Sequence, residues 1–134
     1  MLTSDAVLDK MFELKRQGTA FALATVVRCE SPTSAKPGDR AIIDSNGAIE
    51  GWVGGGCAQP AVIATARKAL QDGQPRLIRV SPTKDAVAEE GITEFGMTCH
   101  SGGTLEIFIE AVIARPSLLI IGGAPSAQVL SVLA

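Results

Sequence analysis

The apolar positions of the first seventeen residues recur on one helical face. Val7, Leu8, Met11 and Leu14 keep a 3.6-residue period, Thr3 or Ser4 stands where an N-cap belongs, and Gly18 stands where a helix stops. This predicts a helix over residues 4–17. From Ala20 to Val27 nearly every position is apolar and Thr25, Val26 and Val27 are β-branched, the pattern of a strand covered on both faces in mid-sheet. Residues 41–44 and 48–53 flank Ser45-Asn46-Gly47, whose Asn-Gly pair predicts a hairpin with a type I′ turn. Helical spacing returns at Val62, Ile63, Ala66, Ala69 and Leu70 and breaks at Gly73 to Pro75. Arg76 to Val80 alternates as a half-buried strand, and Leu105, Ile107 and Ile109 alternate with Glu106, Phe108 and Glu110 in another. Between them, Ser81 to Gly91 is mostly charged or small, so Asp85, Glu89 and Glu90 read as one solvated face of a short helix rather than as catalytic carboxylates.

Beyond Arg115-Pro116-Ser117, the apolar run Leu118 to Ile121 passes through Gly122-Gly123-Ala124 into a helical stretch from Gln128 to Ala134. That is the outline of the β-turn-α that opens a dinucleotide-binding domain. The fold expected is therefore α/β: a mixed sheet with helices packed on it over residues 1–115, then the truncated start of a Rossmann-like domain over 116–134. The glycine spacing departs from G-x-G-x-x-G, since Ala124 takes the second glycine position. One strand and a short helix do not bind a dinucleotide, so NAD(P) is expected only of a complete second domain. A nicotinamide-dependent oxidoreductase fragment is the alternative reading that this turn supports. Uncovered apolar residues 118–121 predict chain association, with a homo-oligomer as the expectation.

Composition narrows the partners. Hydrophobic residues make up 46% of 134 residues, charged residues 19%, and the formal charge is −2, which excludes a disordered tail and a nucleic-acid surface. One Trp, four Phe and no Tyr make no base-stacking platform. The N-terminus lacks the basic and apolar regions of a secretory signal and no apolar run is long enough to span a bilayer, so a cytoplasmic protein is expected. Cys29, Cys57 and Cys99 are odd in number and widely spaced, which predicts reduced thiols rather than a disulfide framework.

Chemistry concentrates in Gly51-Trp52-Val53-Gly54-Gly55-Gly56-Cys57-Ala58-Gln59-Pro60. Three glycines strip a turn of side chains so that backbone N–H groups can approach a ligand, and Pro60 suits the first turn of a helix. Cys57 then lies at a helix N-terminus, where partial positive charge favours anions and thiolates. A second reading stands beside this one: cysteine is among the most buried residue types, and the turn can serve only to reverse the chain. Phe95-Gly96-Met97-Thr98-Cys99-His100-Ser101-Gly102-Gly103-Thr104 repeats the recipe of small residues, glycines and one cysteine. Between the first strand and the hairpin, residues 29–40 form a loop whose Lys36 and Arg40 are candidate phosphate contacts. No C-x₂-C pair accompanies Cys57, Cys99 and His100, so a zinc site is not expected. His100 as the base of a cysteine dyad is a minor reading, because adjacent residues such as Cys99 and His100 point apart.

Taken together, Ser34-Ala35-Lys36-Pro37-Gly38-Asp39, the Gly54 to Pro60 turn, the Gly96 to Thr104 loop and the terminal Gly122-Gly123-Ala124 resemble the XdhC/CoxI family. Its members are accessory proteins for maturation of xanthine dehydrogenase and carbon monoxide dehydrogenase type enzymes. Ala58-Gln59-Pro60 and Thr98-Cys99-His100-Ser101 are closer to the CoxI branch. The resemblance implies a small first domain followed by a Rossmann domain. It also implies a chaperone that binds, protects and delivers molybdenum cofactor, as molybdopterin or its cytosine dinucleotide, to a client molybdenum hydroxylase. On that resemblance no residue is catalytic and Cys57 contacts the molybdenum. Gly54, Gly55, Gly56, Cys99, Gly102, Gly103 and Lys36 are carried over as the cofactor-binding surroundings.

Overall fold

The computed structural model describes residues 3–82, 89–97, 102–115 and 118–133. Helix α1 (Ser4–Gln17) is bounded as its period predicts. The Thr3 hydroxyl accepts from the Ala6 N–H at 3.4 Å, and Gly18, at φ +70°, closes the last turn. Val7, Met11 and Leu14 carry the helix onto Phe21, Leu23 and Ile42.

Six strands make one mixed sheet in the order β3-β2-β1-β6-β4-β5 among the described residues. The run that predicts a mid-sheet strand forms β1 (Phe21–Glu30), flanked by antiparallel β2 (Arg40–Ile43) and β6 (Thr104–Val112). β3 (Ile49–Gly51) completes the hairpin, and β4 (Arg76–Ser81) pairs with the far side of β6. Alternation assigns the two faces. Ala22, Ala24, Val26, Ile78, Val80, Leu105, Ile107 and Ile109 form one core with Ala61, Val62, Ala66 and Ala69 of α2 (Gln59–Asp72). Phe21, Leu23 and Ile42 form the smaller one beneath α1.

Three local expectations change. The hairpin does not use a type I′ turn, which needs positive φ at both central residues; only Gly47, at φ +91°, has it among residues 44–48. Asp44 decides the geometry instead, because its carboxylate accepts from the N–H groups of Asn46 and Ala48, both at 2.8 Å, while the Gly47 N–H donates to the Asp44 carbonyl. A strand absent from the sequence reading, β5 (Ile92–Gly96), runs parallel to β4 at the sheet edge. Residues 118–121 make no sheet pairing, while α3 (Pro125–Leu133) forms with none of its residues buried. Of the acidic stretch, Glu89 reaches Arg79 at 2.9 Å, and residues 83–88, Asp85 included, lie outside the described residues.

Arg79 stands on the sheet face opposite α2 and pairs with Glu106 and Glu94, each at 2.8 Å, as well as with Glu89. These carboxylates, Glu89 first, hold the guanidinium further above its ordinary value. The charges alternating along β4 and β6 are thus a sheet-face ion network.

The break between α2 and β4 is held by a second clamp. Asp72 accepts from Arg76 and from the Gln74 N–H, and these bonds, that of Arg76 first, bring its carboxyl down to about 2. A folded-state value below the unfolded one, about 4, gives stability that is present above pH about 4 and lost as pH falls towards about 2. Asp72→Asn is expected to lower the thermal midpoint at neutral pH and to converge with wild type near pH about 2; calorimetry across that range checks it, and a difference unchanged by acid would refute it.

Candidate functional site

The antiparallel pairing of β1 with β6 brings Glu30 beside Thr104, so the end of β1 and the start of β6 lie at one end of the sheet. β4 and β5 end there as well, with the Met97 N–H donating to the Ser81 carbonyl at 2.7 Å. The N-terminus of α2 meets the same end. Between these parts lies a cavity of about 260 Å³, walled by Pro32, Thr33 and Ser34 from the loop after β1 and by Gly55, Gly56, Cys57 and Ala58 before α2. Met97 follows β5 into it, and Gly103 and Leu105 close it from β6.

Each wall has a local cause. A register shift between Val26 and Arg28 bulges β1, and Val26 bonds Asp39 and Gly38 through its N–H and carbonyl, tying the loop back onto the strand. The Lys36 N–H donates to the Asp39 carboxylate at 2.8 Å, and the Ala35 N–H donates to the Thr33 hydroxyl at 3.2 Å. Buried Ala35 anchors this arrangement in the main core. Opposite, the Ala58 N–H donates to the Gly55 carbonyl at 3.0 Å and closes a tight turn. Gly54 sits under that turn at φ +120°, where an added Cβ would come within 2.8 Å of Leu105. Gly103 packs against backbone: a Cβ there would overlap the Pro32 carbonyl oxygen and lie 2.7 Å from that of Glu30.

The electrostatics come from backbone. Helix α2 has Ala58 at its N-cap with no side-chain cap bond, has Pro60 in its first turn and carries no acidic residue there. Its positive end therefore faces the cavity undiminished by a neighbouring carboxylate of its own first turn. No charged side chain lines the cavity among the described residues. The polar side-chain groups at its wall are the hydroxyls of Thr33 and Ser34 and the sulfur atoms of Cys57 and Met97.

Of the residues singled out in the sequence, Gly55, Gly56, Cys57 and Gly103 meet in this cavity, and Gly54 supports it from behind. Gly102 precedes the wall at φ +69° without lining it. Lys36 is exposed and outside the lining. Arg40 opens β2 opposite Thr25, on the α1 face, with its Nε buried and without a hydrogen-bond partner among the described residues. Cys99 and His100 lie outside the described residues. No group of three or more metal-ligating side chains occurs among the described residues, and none of the helices described is long and apolar enough to cross a membrane.

One expectation is corrected. Cys57 is disulfide-bonded, not a reduced thiol, because spacing along the chain does not measure spacing across folded loops. Cys29 is free, and burial, with the nearby Asp39 charge, pushes its thiol up from the ordinary value. Residues the sequence reading passed over are Pro32 to Ser34 and Met97. Prolines and hydroxyl residues in an ordered loop, and a thioether inside the second glycine-rich stretch, are the signals that pointed to them.

Similarity to known proteins follows the same architecture. A protein described as a xanthine dehydrogenase from Bacillus halodurans superimposes with a TM-score of 0.60 at 20% identity, over 82% of this chain and 30% of that one, and so shares the fold. The uncharacterized protein YqeB of Escherichia coli (strain K12) is 31% identical over 116 residues, 87% of this chain. The chain spans 20% of the length of that relative. The sequence profile of the XdhC and CoxI family matches residues 14–81, just over half of the chain, from the last turn of α1 through the Cys57 turn to the end of β4. The chain belongs to the XdhC and CoxI family.

Proposed function

We propose that this domain is the cofactor-holding part of an accessory protein for a molybdenum hydroxylase of the xanthine or carbon monoxide dehydrogenase type, and that its cargo is molybdenum cofactor. The observation that carries the reading is the cavity itself, which sets the Gly55-Gly56-Cys57 turn and the uncapped start of α2 against the loop after β1.

The residues fit the two ends of such a cargo. A cysteine thiolate is a soft donor suited to a molybdenum centre, and backbone at a helix N-terminus suits a phosphate. At about 260 Å³ the cavity lies at the small end for ligand sites. It accommodates one end group, while exposed Gly55 and Gly56 leave the rim open for the remainder. Thr33 and Ser34 supply hydroxyls that orient polar edges, and Leu105 and Ala58 give the floor an apolar, water-excluding surface.

The test is a titration with molybdenum cofactor released from a heat-denatured molybdenum hydroxylase, using the dithiol-reduced protein. Cys57→Ser is expected to weaken binding roughly tenfold or more with an unchanged circular dichroism spectrum. Equal affinity for the two proteins would remove Cys57 from the site, and no binding by wild type would remove the reading.

A further inference from the structure

We propose that the opposite end of the sheet carries a second binding site, for a small organic phosphate, in a cavity rimmed by Lys15, Arg16 and Arg115. The site is independent of the cofactor-holding reading.

Its position follows from the same strand pairing. Phe21 of β1 stands beside Val112 of β6, whereas Glu30 stands beside Thr104, so the turn from α1 into β1 meets the exit from β6 about 30 Å of strand away from the first cavity. There the two enclose about 320 Å³, within the range of small-molecule sites. Helix α1 contributes Lys15 and Arg16, and the turn after it contributes Thr19. The end of β6 and the residues beyond it contribute Val112, Ile113 and Arg115.

The lining carries three cations and no carboxylate among the described residues, in a chain whose formal charge is −2. Arg28, Arg76 and Arg79 each hold a carboxylate, whereas Lys15, Arg16 and Arg115 make no ion pair among the described residues. Basic residues in the last turn of α1 complement the negative end of the helix, which accounts for Lys15 and Arg16. It does not account for Arg115, which arrives from the far end of β6 and brings a third positive charge to the same space. Nor does the helix supply neutralising partners. Met11 and Phe12 stand four residues before Lys15 and Arg16, and Glu13, three before Arg16, is engaged by Lys10 at 3.2 Å and by Gln17 at 3.0 Å.

A cleft lined by one sign of charge concentrates the opposite ion. Two guanidinium groups and an ammonium match the oxygens of a phosphate, which guanidinium engages through paired N–H donors. Thr19 adds a hydroxyl at the same rim. The remaining wall is apolar: Val112 packs against the core beneath α1, and Ile113 is exposed. A bare ion would leave that wall uncovered, so a phosphate monoester with an apolar or aromatic body satisfies both halves of the cavity.

The test is isothermal titration calorimetry of the full chain at low salt with adenosine monophosphate, inorganic phosphate and succinate. Adenosine monophosphate is expected to bind at least roughly fivefold more tightly than either small anion, and Arg115→Gln to weaken it roughly tenfold. Raising the salt to about 0.5 M should weaken it as well, since the rim is exposed. Arg115 lies outside every helix and strand, so its variant should keep the wild-type thermal midpoint. Lys68→Gln removes an exposed cation of α2 and should leave the affinity unchanged. No binding of adenosine monophosphate, an affinity unmoved by Arg115→Gln, or an equal loss in Lys68→Gln overturns the site. Inorganic phosphate or succinate binding as tightly as the nucleotide overturns the ligand class. Each of these outcomes is read without molybdenum cofactor, so the cofactor reading stands or falls separately.

Discussion

Gly103→Ala is expected to destabilise the domain by about 3 kcal/mol, close to the upper range for overpacking a well-packed site. Its added Cβ would overlap the Pro32 carbonyl oxygen and press on that of Glu30, and both are backbone atoms with no rotamer through which to withdraw. Relief requires the loop after β1 to move away from β6, which also dismantles the cavity wall. Gly54→Ala should cost less, since the atom in its way is the end of the flexible Leu105 side chain, though its φ of +120° adds strain. Gly55→Ala and Gly56→Ala meet nothing within 4 Å among the described residues and should stay within about 0.5 kcal/mol of wild type. Urea unfolding of the four variants gives the ranking directly. A Gly103→Ala protein as stable as Gly55→Ala would mean that the β1 loop does not rest on position 103, and the cavity would lose one wall. Gly55→Val provides the complementary case: it is expected to fold normally yet to crowd the cavity, so that cofactor affinity falls without loss of stability.

Elements whose patterns are local were legible in the sequence. The Val7-Met11-Leu14 face, the Gly18 stop, the near-continuous apolar run of β1, Pro60 at the head of α2 and the Leu105-Ile107-Ile109 alternation each reflect the chain's own neighbours, and the structure keeps them. β5 was not legible because its partners are distant. Phe95 joins the main core only once β5 lies beside β4, and Glu94 gains its partner only once Arg79 is placed opposite it. The same limit applies to the cavity. The Gly55-Gly56-Cys57 turn announces itself, whereas Pro32 to Ser34 become a wall only through the β1–β6 register and the Val26 bulge. Lys36 and Arg40 drew attention as charges, but the strand pleat turns Arg40 to the other face, and Lys36 is drawn by its backbone into the Asp39 turn. The state of Cys57 belongs to the same class, since it depends on which loops meet.

Ile107→Ala is expected to give the largest loss outside the cavity, about 4 kcal/mol. Ile107 lies in β6 with Val26 of β1 on one side and Ile78 of β4 on the other, is fully buried, and belongs to the core that receives α2. Removing three carbons there leaves a void that neither neighbouring strand can close without breaking its ladder. Ile107→Val, which keeps most of the volume, should cost about 1 kcal/mol. Leu119→Ala tests the opposite end of the scale: 82% exposed in a segment without sheet pairing, it should change stability by less than about 0.5 kcal/mol. Chemical denaturation should show these as shifts in midpoint at constant slope, because the surface exposed on unfolding is nearly unchanged. A loss at Ile107 no greater than that at Leu119 would show that α2 does not close this face of the sheet. The uncapped start of α2 would then lose its fixed position at the cavity, and the geometry argued for Cys57 would lose its support.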